Sequence, residues 1–174
     1  MNRNVLKTIS TLMAVALAAG VVTTVEAQTA SINATARVLA PIAVGTTEDL
    51  RFGDVLQGIN KVVAASDAAS GQFEFSGSTG AEVDLVLTLP TDLDDGGGNL
   101  MPINTWSGLR GVNATRGAGT AFVPTDGVSI LDNLGGAAGD FYRIFVGATV
   151  VPGGAQTPGN YTASIDLQVT YTGN

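Results

Sequence analysis

Gly159-Asn160-Tyr161-Thr162-Ala163-Ser164-Ile165-Asp166-Leu167-Gln168-Val169-Thr170-Tyr171 alternates apolar and polar side chains without a break from Tyr161 to its end. Tyr161, Ala163, Ile165, Leu167, Val169 and Tyr171 fall on one side, and Thr162, Ser164, Asp166, Gln168 and Thr170 on the other. A period of two marks a strand with one face in a core and one in water, because successive side chains leave a pleated backbone in opposite directions. Pro158 and Gly159 are the expected start, so the stretch reads as one long strand closing an all-β domain.

Upstream, further short strands follow at the spacing of a β-sandwich. Val83, Leu85, Leu87 and Leu89 line one face of a strand that Pro90 ends, and Phe73 and Phe75 point inward from Gln72–Ser76. Ile59 to Ala65, Met101 with Ile103, Phe122, Val128 with Ile130, and Phe141 to Val151 supply more strand-length runs between Gly-rich turns. Outside the first residues no apolar repeat persists at helical spacing, so helices are expected to be short or absent.

The N-terminus reads differently. Arg3 and Lys7 precede an apolar run of eleven residues, Leu12 to Val22, and Val25-Glu26-Ala27 carries small residues where a signal peptidase reads them. Eleven apolar residues are too few for a spanning helix, which needs about twenty. Residues 1–27 are therefore expected to be a secretory signal peptide, and 28–174 a single exported sandwich with no membrane span. Next, Ala30, Ile32, Ala34, Ala36 and Val38 alternate with Ser31, Asn33, Thr35 and Arg37 until Pro41 interrupts. Small alanines around one large residue suit a strand that slides into a narrow groove, and they equally suit the first strand of a self-contained sandwich. The pattern leaves both open.

Glu48-Asp49-Leu50-Arg51-Phe52-Gly53 puts Leu50 and Phe52 on one face and lets Gly53 bend tightly. An alternating N-terminal segment, this Leu-x-Phe-Gly step, Gly147-Ala148-Thr149-Val150 and a closing Gly-x-Tyr strand together resemble the bacterial family called domain of unknown function 4402. That family is similar to spore coat protein U and archaic chaperone-usher pilin domains. The cysteine near the start of many coat protein U domains is absent, and Gly173 and Asn174 follow Tyr171, so the aromatic is not penultimate as in pilins. The resemblance implies an immunoglobulin-like, pilin-like sandwich at the cell surface or in the periplasm. It implies a fimbrial-type structural or adhesive role, with copies of itself and a periplasmic chaperone as partners. Ala30, Ile32, Ala34, Ala36 and Val38 would then be a donor strand, and Gly159, Tyr161, Ile165, Leu167, Val169 and Tyr171 the acceptor wall.

Chemistry is sparsely represented. The chain has neither Cys nor His, which removes the usual nucleophile and base pairs and imidazole or thiolate metal sites. Glu48, Glu74 and Glu82 lie in strand or turn contexts that predict outward solvation, so no acid-base pair is marked for glycoside cleavage, and an enzyme is not expected. No cofactor is expected either. Asp92-Leu93-Asp94-Asp95-Gly96-Gly97-Gly98-Asn99 offers hard oxygens to calcium, but Asp and Gly equally build a turn between strands. Asp92, Asp94 and Asp95 are thus weak metal candidates. Trp106 is read as core or rim before a sugar platform, and Gly135 to Gly139 as a turn before a phosphate cradle.

Removing Arg3, Lys7 and Glu26 leaves 6 basic and 14 acidic residues, a charge of −8 on the mature chain. No Lys or Arg cluster is present, so nucleic acid is not expected as a partner. Only 13% of residues are charged and 23 are Gly, which leaves a surface of Ser, Thr, Asn and Gly closer to an exported filament protein than to a cytosolic enzyme. The alternative is a self-contained secreted module that binds a surface glycan or calcium. Export makes one direct prediction: the intact mass of the protein recovered outside the cytoplasm corresponds to a chain starting at Gln28. A mass that retains Leu12 to Val22 overturns it.

Overall fold

The computed structural model describes residues 28–45 and 47–173; the signal segment read at 1–27 lies outside them. The chain divides between Ala36 and Arg37. Residues 28–36 carry no strand and are exposed throughout, Ile32 at 97%. Val38 is exposed as well, so the alternation from Ala30 to Val38 forms no strand.

From Arg37 onward the described residues form an immunoglobulin-like β-sandwich without helices. Among the described residues no helix is long and apolar enough to cross a membrane. The strands are β1 (Ala43–Val44), β2 (Lys61–Val63), β3 (Gly71–Ser76), β4 (Glu82–Thr88), β5 (Asp92–Asp94), β6 (Leu100–Thr115), β7 (Ala118–Phe122), β8 (Ser129–Asn133), β9 (Tyr142–Val150) and β10 (Asp166–Tyr171). One antiparallel sheet runs β1-β3-β9-β6-β5, with β2 added to β9 and β7 to β6; the other runs β10-β4-β8.

The spine is β9, apolar along most of its length and buried at every position but Arg143. Such a run is expected of a strand with neighbours on both edges and cover on both faces. It has β3 and β2 along one edge and β6 along the other. Gly147 permits the crossing of the chain after β2, because a Cβ there would run into the backbone of Val63 and Ala64. Across the sandwich, Val83, Leu85 and Leu87 of β4 are buried on one face as the two-residue period requires. Val83 and Leu85 join Phe75, Leu134, Tyr142, Ile144 and Val146 in the main core. A second cluster holds Leu93, Met101, Ile103, Ala148 and Val150, and half-buried Trp106 packs against both.

Three expectations are corrected. The closing strand is half as long as its pattern, because Thr162 exchanges both backbone hydrogen bonds with Asp94 instead of following the path of β10 (2.9 Å each). Glu74 is buried rather than solvated, since it sits on β3 opposite Arg143, whose Nε donates to its Oε2 at 2.6 Å. The run from Ile59 to Ala65 contributes only β2, with Ile59 itself exposed.

Burial grades the two sides of the smaller sheet. Leu85 is fully buried, whereas Leu167, Val169 and Tyr171 are half-buried. Leu85→Ala is expected to cost about 2–5 kcal/mol, and Leu167→Ala roughly half as much because less of its surface leaves water. Denaturant titration checks the order, and equal losses would show the β10 face to be as well covered as that of β4.

Candidate strand-acceptor groove

Among the described residues β10 has one ladder partner, β4. In an antiparallel pair successive residues direct their N–H and C=O groups alternately toward and away from the partner. The Thr172 N–H donates to Glu82 O and the Leu87 C=O accepts from Gly127 on the far side of β4. That phase turns Asp166, Gln168 and Thr170 toward β4, and leaves the peptide groups of Leu167, Val169 and Tyr171 facing the open edge. These are the residues whose side chains face inward. The free edge is thus a template whose hydrogen-bonding positions carry the apolar face.

Alongside the approach to this edge runs a groove of about 1120 Å³, just above the range of roughly 300–1,000 Å³ usual for ligand pockets. Phe73, Met101, Ile103 and Val146 line it from the larger sheet, and Tyr161 to Asp166 line it on the β10 side. Leu50 and Phe52 line it too, packed with Val55 against the second core cluster. Gly53 turns the chain there with φ at +61°, a conformation that costs a glycine little. The segment before Leu50 extends the β1 edge along β3, through Gly45 N to Glu74 O (2.7 Å) and the Glu48–Gln72 bridge, and just after Leu50 the Arg51 N–H donates to Ala69 O ahead of β3 (2.9 Å).

The six residues expected to form an acceptor wall therefore separate. Gly159, Tyr161 and Ile165 line the groove. Gly159 sits in a bend and the Tyr161 hydroxyl donates to Thr157 O (2.6 Å), which pins that side chain at the end of the groove. Leu167 and Val169 instead pack on the main core beside it. Tyr171 lies at the far end of the edge, where its hydroxyl accepts from Ser78 N and donates to Ala40 O, both at 2.8 Å. Sequence reading missed this clasp, because the pairing partner of a tyrosine hydroxyl leaves no period in the chain. It also missed Phe73, Met101, Ile103 and Val146 as groove lining, since their apolar character marks core and groove floor alike.

The other candidates have structural partners. In the acidic loop Asp94 Oδ1 accepts from Gly96 N (2.7 Å) and Asp95 Oδ1 from Gly97 N (2.8 Å), while Asn99 Nδ2 donates to Asp95 Oδ2 (2.7 Å). The Asn99 amide and then the Gly97 N–H hold the exposed Asp95 carboxyl below its ordinary value. Asp92 accepts from Thr91 Oγ1 (2.8 Å). Among the described residues no group of three or more potential metal ligands converges. Gly135 to Gly139 forms the bend and turn before β9, closed by Ala137 N to Asp140 Oδ2 (2.6 Å).

A partly buried polar network joins the two sheets away from the groove. The Tyr142 hydroxyl donates to Asp132, which pairs with Arg110 at 3.0 Å. Burial first, and then the Asp132 carboxylate, push the Tyr142 phenol well above its ordinary value. Its contribution to stability is complete below the ordinary tyrosine pKa of 10.0 and declines above it, as the unfolded phenol ionises and the folded one keeps its proton. No protein-family model and no curated protein matches the chain.

The loop geometry yields an outcome for the calcium alternative. A site at 100 times its dissociation constant would stabilise by about 2.7 kcal/mol. With Asp94 and Asp95 already engaged by loop N–H groups, millimolar calcium is expected to leave the melting temperature unchanged. A rise reversed by a chelator overturns this.

Proposed function

We propose that the protein is an exported, non-enzymatic structural subunit of the fimbrial kind its motifs resemble, and that copies join by β-strand addition. The extended segment 28–38 of one copy lies along the open edge of β10 in the next. Main-chain hydrogen bonds supply affinity there, and alternate side chains supply fit. The observation that carries the reading is the β10 edge itself: one ladder partner, outward-facing peptide groups on Leu167, Val169 and Tyr171, and a half-buried inner face beside a groove lined by both apolar and acidic side chains. The occupant is supported by an exposed, strandless segment whose Ala30, Ile32, Ala34, Ala36 and Val38 share one side when extended. A periplasmic chaperone would shield the same edge before assembly.

Size-exclusion mass of the exported protein, full and trimmed of residues 28–36, tests the reading together with a synthetic 28–38 peptide. The full chain is expected to form multimers, and the trimmed one to stay monomeric and bind the peptide. Ile32→Asp in the peptide abolishes binding because a charge would enter the groove. N-methylation from Ile32 to Thr35 abolishes it by removing backbone donors. A full chain that stays monomeric, with a trimmed form that unfolds, makes 28–38 an ordinary part of its own domain and overturns the proposal.

A further inference from the structure

Charge is distributed unevenly between the groove and the segment proposed to enter it. Residues 28–38 contain one charged side chain, Arg37, and no carboxylate, in a chain that carries 15 acidic residues against 8 basic. The groove is lined by Glu48, Asp49, Asp54 and Asp166, with Arg51 as its one cationic lining residue among the described residues. Glu48 is engaged by Arg116 and Asp49 by Arg51, the latter pair at 3.5 Å and largely exposed. Among the described residues neither the Asp54 nor the Asp166 carboxylate forms an ion pair, and the cation near Asp54, Lys61, donates to its backbone carbonyl at 2.9 Å. Asp166 opens β10, and Tyr171 at its other end lies outside the groove lining. The negative charge is therefore at the groove end of the edge.

Resting on the strand-addition reading, we infer that this acidic mouth selects the incoming segment of a second copy by attracting Arg37. Two copies that each carry a large negative charge repel at long range, and a local pairing of opposite sign is what brings the correct surfaces together. Arg37 lies toward the C-terminal end of the segment. It meets Asp166 and Asp54 when the segment runs antiparallel to β10, and lies beyond Tyr171 when it runs parallel. The pairing thus favours one direction of entry as well as one segment. At home, Arg37 Nη2 donates to Thr79 O at 2.8 Å, a carbonyl contact that supplies no countercharge.

The test places the change in the peptide, so that the fold of the protein is untouched. Association of the 28–38 peptide with the exported protein trimmed of residues 28–36, which are exposed and carry no strand, is measured with Arg37 and with Arg37→Gln, at low and at high salt. The Arg37 peptide is expected to associate several-fold faster at about 20 mM than at about 500 mM NaCl, where screening acts over only a few ångströms. Arg37→Gln should be slow and insensitive to salt, and Asp54→Asn with Asp166→Asn in the protein should reproduce that behaviour with the Arg37 peptide. Equal rates for the two peptides at low salt overturn the electrostatic selection and leave strand addition standing. If neither peptide binds, and the full chain shows no salt-dependent multimers by light scattering, both fall together.

Discussion

Three strands have to cover a face whose centre is the almost fully buried β9. The smaller sheet does so with β4, whose inward residues are sealed between β8 and β10, and its cover thins at β10. Where β10 has not yet begun, between Tyr161 and Ile165, the larger sheet is met by a connecting segment held to Asp94, and the groove lies there. The difference in width between the two sheets thus produces both the half-exposed face and the adjoining cavity. Unpaired strand edges template further pairing, and many proteins blunt them with charge, proline or a bulge. β10 places neutral, apolar residues on its outward-directed peptide groups and keeps Asp166 at its mouth.

How much of this could be read from the chain depends on which physical signal each residue carries. Val83, Leu85 and Leu87 were legible because the period of two is a local consequence of the pleat, and burial on one side follows from it. The all-β class and the short strands were legible for the same reason. The closing strand was overread: Tyr161 to Tyr171 keeps its alternation, yet Thr162 found a partner in Asp94, and pairing choice is a long-range property that a local pattern does not encode. Glu74 was misassigned because its partner Arg143 lies far along the chain, on a strand that becomes its neighbour only in the folded sheet.

The candidate groove was legible in part. Gly159, Tyr161 and Ile165 do line it, and Leu50 with Phe52 and Gly53 forms one of its walls. Its floor was not separable from core by composition. The direction of the free peptide groups on β10 needed the register with β4, which rests on pairs such as Leu167 with Leu87 and Val169 with Leu85. Segment 28–38 is a different case, because a strand completed by another molecule has the same alternation as one completed within the chain.

The tyrosine clasp has a mechanical consequence. Ala40 is held to the Ser78 hydroxyl through its N–H and to the Tyr171 hydroxyl through its C=O, and that tyrosine hydroxyl in turn accepts from Ser78 N. Ser78 and Thr79 lie in the turn that leads from β3 in one sheet to β4 in the other, and Tyr171 ends β10. Tension applied to the chain just before Ala40 therefore reaches both layers together, at the rim where they meet, and does not peel β1 from its neighbour one rung at a time. A small domain without disulfides can in this way carry load through a few short polar contacts, with the hydrophobic interior behind them resisting the separation of its two halves.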